Sequence, residues 1–103
     1  MLMLGLGGIH VEVLKDVAFA PVPLTADAAR TLIGRLKGAG ILDAHRGQPA
    51  ADKAALVDLI VKLGQLAADH ADDIAEIDLN PVIVHAEGHG ATIADALIVK
   101  RRE

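Results

Sequence analysis

Residues Ile9 to Leu14 alternate: Ile9, Val11 and Val13 fall on one side, His10, Glu12 and Leu14 on the other. That period of two predicts a strand. Lys15-Asp16 reads as a turn, and Val17 to Val22 as a returning strand whose Pro21 and Pro23 make it irregular or place it at an edge. The period then changes. Thr25 has the chemistry of an N-cap, Asp27 suits the positive end of a helix, and Ala29, Leu32, Ile33 and Leu36 follow at helical spacing. Lys37-Gly38-Ala39-Gly40 predicts the helix end, with glycine free to take the left-handed cap, and 41–50 reads as a loop. Asp52 is expected to cap a second helix with the apolar stripe Leu56, Leu59, Ile60, Leu63, Leu66 and Ala67. Ile74 to Val84 and Ala91 to Val99 alternate again, separated by His85-Ala86-Glu87-Gly88-His89-Gly90, a hairpin turn with glycine for its positive φ.

The order is β-β-α-α-β-β, an α+β fold with one antiparallel sheet covered on one face by two helices. At 103 residues the chain makes a single domain, 1–103. Its apolar run starts at residue 1, which reads as a domain cut from something larger.

Composition narrows the function. The chain is 52% hydrophobic yet holds one aromatic residue, Phe19, so its core is aliphatic. Net charge is −4, with no basic stripe and no aromatics for stacking, which argues against nucleic acid. Cysteine is absent, which removes disulfides and thiolate metal sites. The apolar start is too short and glycine-rich to span a bilayer and lacks the basic region of a signal peptide. A cytoplasmic location, away from membranes, is expected.

Candidate chemistry gathers in the third strand. Glu76, Asp78 and Asn80 are spaced by two and share a face, with Ile77 and Leu79 on the other. If Val84 pairs with Ala91, Asn80 lies opposite Asp95 and Asp78 one diagonal step away. A slip of one residue would turn Asp95 to the other side. Its face-mates Ala91, Ile93, Leu97 and Val99 are apolar, so Asp95 is expected to be partly desolvated, a cost that a divalent cation would relieve. Two carboxylates and an amide oxygen suit Mg²⁺ (or Mn²⁺), which takes its remaining ligands from water and phosphate. The alternative is that all three are solvated side chains beside a hairpin.

Four segments resemble the ADP-forming acyl-CoA synthetases, a family that includes the succinyl-CoA synthetase β chains. Gly7-Gly8-Ile9-His10-Val11-Glu12-Val13-Leu14-Lys15-Asp16 is similar to their Gly-Gly-Ile-x-Val-Glu-x-Leu-Lys-Asp run, and Arg46-Gly47-Gln48-Pro49 to their Arg-Gly-x-Pro loop. Glu76-Ile77-Asp78-Leu79-Asn80-Pro81 is similar to their Glu-x-Asp-Ile-Asn-Pro signature, and Asp95-Ala96 to the Asp-Ala beyond it. The resemblance implies the second subdomain of an ATP-grasp domain. It also implies ATP/ADP as nucleotide and Mg²⁺ ligands at Asp78, Asn80 and Asp95; Asn80 and Glu12 are the expected nucleotide contacts. Asp78 stands where succinyl-CoA synthetases carry Glu, which shortens the reach and keeps the charge. The first ATP-grasp subdomain and the CoA-binding domain or subunit are the implied partners, and without them the chain is expected to be inactive and to form a homodimer.

Other motifs carry less. Gly5-x-Gly7-Gly8 lacks the Lys-Ser/Thr and the following helix of a phosphate loop. His10 and Glu12 share a strand face that solvates them or turns them toward phosphates. His85 and His89 flank a turn with no third ligand. Arg46 suits either a phosphate or a loop contact. The competing function is a non-catalytic interaction module that associates through its sheet and N-terminal strand.

Overall fold

The computed structural model describes residues 1–5, 17–43 and 49–101. Its elements are β1 (Leu2–Gly5), β2 (Val17–Ala20), α1 (Ala26–Gly34), a 3-10 turn (Ala39–Leu42), α2 (Lys53–Asp69), β3 (Ile74–Leu79), β4 (Val82–Val84), β5 (Ala91–Ile93) and β6 (Ala96–Lys100). The α+β class and the two helices are as the sequence predicts. Among the described residues the strands pair not as one sheet but as three two-stranded antiparallel ladders, β1–β2, β3–β6 and β4–β5.

In the first ladder Leu2 faces Ala20, Met3 faces Phe19, Leu4 faces Ala18 and Gly5 faces Val17. Leu2–Gly5 is a partner of β2 that the strand pattern does not predict; the strand expected over 9–14 and the 15–16 turn lie outside the described residues. Alternation gives this ribbon two unlike faces. Leu2 and Ala18 are buried, while Met3 and Phe19 are 62% and 52% exposed.

Both helix starts follow the local chemistry. Thr25 Oγ1 accepts the Ala28 N–H at 3.1 Å, and Asp52 Oδ1 accepts that of Ala55 at 3.1 Å. The end of α1 does not. No left-handed glycine caps it; Arg35 closes the last turn, and the Leu36 and Ala39 N–H groups then donate to Ile33 and Leu36 carbonyls in 3-10 fashion. Those bonds satisfy the final carbonyls and leave glycine no capping role.

The core joins Leu2 and Ala18 of the ribbon, Leu24, then Ala29, Leu32, Ile33 and Leu36 of the first helical segment, and Leu56, Val57 and Ile60 of α2. The buried side of α2 is turned from the expected stripe: Val57 and Gly64 face inward and Leu66 is 40% exposed. Gly64 causes the rotation. Without a side chain, it lets the 22–24 segment lie against the helix, where an added Cβ would stand 3.2 Å from Leu24 Cδ1.

A candidate metal and nucleotide site on a split hairpin

The turn between β4 and β5 forms as expected, with Gly88 at φ 85° and Gly90 at φ 80°. His85 N–H donates to the Gly90 carbonyl at 2.9 Å, and its ring Nε2 lies 2.6 Å from Thr92 Oγ1. Val84 then pairs with Ala91 and Val82 with Ile93. The same register carries into the second ladder, where Leu79 pairs with Ala96 and Asp78 with Leu97.

Between the ladders Pro81 has no N–H to contribute, and the pairing is reduced to two bonds. The Asn80 N–H donates to the Asp95 carbonyl at 3.1 Å, and the Ala94 N–H to the Pro81 carbonyl at 3.0 Å. The break also shifts the phase of burial. Ile77 and Leu79 are half-buried before it and Val82 and Val84 after it, while Asp78, Asn80 and Pro81 are exposed. The predicted register is therefore present, and it sets Asn80 opposite Asp95 with Asp78 two residues up the strand.

The expected desolvation of Asp95 is overturned. Asp95 is exposed, as are Leu97 at 58% and Val99 at 39%. The reason is the placement of α2, which packs on β4 and leaves β6 uncovered. One Asp95 oxygen, Oδ1, accepts the N–H of Ala96 at 2.9 Å, which holds the carboxylate against its own strand.

Among the described residues Arg30 pairs with Asp27, Lys62 with Asp58 and Lys53 with Asp43. No lysine or arginine among the described residues pairs with Asp78 or Asp95. Nor do these residues hold a cluster of three or more histidine or acidic side chains. What remains is two carboxylates and one amide on a solvated ribbon. Such hard oxygen donors fit a cation that keeps several waters, as Mg²⁺ does, rather than one needing a closed cage. Glu12, the expected nucleotide contact, lies outside the described residues, as do His10 and Arg46.

One position carries more than its sequence signal. Asp52 reads as an ordinary helix cap, yet its second oxygen accepts the Gly90 N–H at 2.8 Å. That bond, then the Ala55 cap bond, lowers the Asp52 carboxyl below its ordinary value; burial opposes them, and the Gly88 backbone and His89 act in the same direction as the bonds.

The ATP-grasp domain family matches residues 1–99. The chain belongs to that family. Among related proteins, subunit beta of acetate–CoA ligase (ADP-forming) II of Pyrococcus furiosus is 47% identical over 98 residues, which cover 95% of this chain and 42% of that protein. Acetate–CoA ligase (ADP-forming) of Methanocaldococcus jannaschii is 44% identical over 100 residues, 97% of this chain and 14% of that one. A crystal structure of a Pyrococcus horikoshii protein superposes with a TM-score of 0.92 at 44% identity, covering 98% of this chain and 42% of that chain. The dinucleotide-forming acetyl-coenzyme A synthetase 1 of Candidatus Korarchaeum cryptofilum, solved with coenzyme A and Mg-AMPPCP, superposes at 0.86 and 36% identity over 96% of this chain and 45% of that chain. The ATP-grasp chain thus spans less than half the length of these relatives. No helix among its described residues is long and apolar enough to cross a membrane.

Proposed function

We propose that this chain is the metal- and nucleotide-holding second subdomain of an ADP-forming acyl-CoA synthetase. Asp78, Asn80 and Asp95 would hold Mg²⁺ or Mn²⁺, and Asn80 with Glu12 would face bound ATP or ADP. The observation that carries this reading is the register of the split hairpin, which sets Asn80 against Asp95 through a 3.1 Å backbone bond and leaves both side chains exposed. Similarity to ADP-forming acetate–CoA ligases supports it, at 47% identity for the Pyrococcus furiosus subunit. Held by Asp78, Asn80 and Asp95, the cation would supply positive charge to offset that of the phosphates during phosphoryl transfer. The chain's own part is to present two negative charges and an amide on a strand pair whose pleat aligns them. Acid and CoA recognition would come from partners: the first ATP-grasp subdomain and a CoA-binding domain or subunit, without which the chain is inactive.

The test is a Mn²⁺ titration, alone and with ATP, followed by paramagnetic broadening of backbone amides. Broadening centred on 78–80 and 95–96, and absent in Asp95→Ala, is the expected result. Uniform broadening, or the same pattern in the variant, would remove the metal assignment. An upstream reading frame encoding the first subdomain would identify the partner.

A second reading is favoured by the outer face of the first ribbon, where Met3, Phe19 and Val17 are exposed and apolar. Such a face supports association, including a homodimer of the isolated chain. Sedimentation of Phe19→Ser against the unaltered chain tests it: a monomer in the variant alone supports the interface, and equal mass in both removes it.

A further inference from the structure

The split hairpin is fastened to the two ends of α2. Near the turn, Ala51 bridges Ala86, the Glu87 N–H donates to the Ala50 carbonyl at 2.8 Å, and the Asp52 N–H donates to the His85 carbonyl at 2.7 Å. The Asp52 side chain completes the junction, with Oδ1 on the first turn of α2 and Oδ2 on Gly90, 38 residues along the chain. At 8% exposure it is the buried charged residue of the described structure. At its other end the ribbon is tied to the C-terminal end of α2, where the Ile74 N–H donates to the His70 carbonyl at 2.8 Å and Arg101 donates from its N–H to the Asp73 carbonyl at 2.9 Å and from Nε to the Ala71 carbonyl at 2.6 Å. Leu97 and Ile98 of β6 are more than half exposed, at 58% and 52%. A ribbon held at its two ends and exposed between them takes its direction from both anchors, and Asn80 and Asp95 sit between them, nearer in sequence to the turn.

A helix cap alone does not account for this arrangement. Capping needs one side-chain oxygen, which Ser or Thr supplies as well as Asp. The second Asp52 oxygen is spent on Gly90. With Ser at this position the Gly90 N–H would lose its acceptor, and with Asn an amide NH₂ would compete for the same place.

We propose that Asp52 is a positioning residue for the Asp78/Asn80/Asp95 site, joining the start of α2 to the hairpin turn on one carboxylate and so fixing, at the turn end, the direction in which the site is presented. This inference rests on the metal-site reading above. Residues that orient metal ligands from outside the coordination shell typically change affinity by about 10- to 100-fold when altered.

The experiment compares the full chain with Asp52→Ser, which keeps the cap and loses the strap, and with Thr25→Ala, which removes a cap from the other helix. Amide exchange and Mn²⁺ broadening are read on each. The expected result for Asp52→Ser is unchanged protection in the middle of α2, exchange at Gly90 and in β4–β5 faster by about tenfold, and Mn²⁺ affinity weaker by about tenfold. Thr25→Ala should leave the last two unchanged. Unaltered hairpin exchange in Asp52→Ser would overturn the strap. Faster exchange with unaltered Mn²⁺ affinity would overturn the positioning role and leave a structural one. Absence of Mn²⁺ binding in the unaltered chain would remove the metal reading and the positioning role with it, while the exchange arm would still report whether the junction holds.

Discussion

Gly64 sets how closely α2 lies against the segment leading into α1, and replacing it puts two opposing terms in play. A Cβ at this position would stand 3.2 Å from Leu24 Cδ1, 3.5 Å from the Leu24 backbone nitrogen and 3.6 Å from Val22 Cγ1. In favour of Gly64→Ala, removing a glycine from a helix interior gains about 0.8–1.0 kcal/mol. Against it, forcing an extra methyl into packed surroundings costs about 1–3 kcal/mol. Leu24 is only 6% exposed, so its side chain has little room, but the tight contact is with a rotatable methyl. The low end of that range applies, and the net effect is a destabilisation of about 0–1 kcal/mol. Gly64→Val is different, because its added methyls reach the Leu24 backbone, which cannot rotate away; a loss of about 2–3 kcal/mol is expected. Leu24→Ala costs about 2–5 kcal/mol alone. In that background Gly64→Ala should recover its helix term, giving a favourable coupling of about 1 kcal/mol. Urea unfolding followed by far-UV circular dichroism measures all four corners of the cycle. Equal effects of Ala and Val, or zero coupling with Leu24, would show that α2 does not approach the 22–24 segment this closely.

Other outcomes test the core, a cap and the buried carboxylate. Leu32 is 1% exposed between the ribbon and α2, so Leu32→Ala should cost about 3 kcal/mol and lower the thermal midpoint by more than about 10 °C. Thr25→Ala should cost about 1 kcal/mol in urea unfolding, and Thr25→Ser close to nothing. The pH dependence follows from the lowered Asp52 carboxyl. A group whose value is depressed by folding contributes stability fully above its ordinary value of 3.8 and loses it as pH falls through the lower folded value. Urea midpoints should therefore drop on acidification below about pH 4, and less steeply in Asp52→Asn; parallel curves for the two proteins would contradict the bonding described for Oδ2.

What was legible in the sequence was local. The caps at Thr25 and Asp52 depend on one side chain and an N–H three residues on, so residue type and the following apolar period suffice. The register that brings Asn80 to Asp95 was legible because Gly88 and Gly90 fix the turn, and a fixed turn fixes every pair behind it. The pairing of Leu2–Gly5 with β2 was not, since a ladder closed across eleven intervening residues leaves no periodic trace of its own. Nor was the division of the sheet, although its cause was visible. Pro81 interrupts the ladder, and Val82 and Val84 take the buried phase that strict alternation assigns to neighbouring positions.

The misreading of Asp95 has a related origin and bears on the site. Apolar neighbours along a strand imply burial only if another layer covers that strand, and the helical stripe of α2 carries no information about which strand it will meet. It meets β4. The carboxylate therefore stays in water and its attraction for a cation is weakened by solvent, so a cation held by this chain alone would be loosely bound. A second surface laid over β6 would exclude that water and strengthen the same contacts without moving a ligand. On this account the exposed Leu97 and Val99 beside Asp95 would bear on the proposed site, because a layer that covered them would also set how tightly a cation could be held.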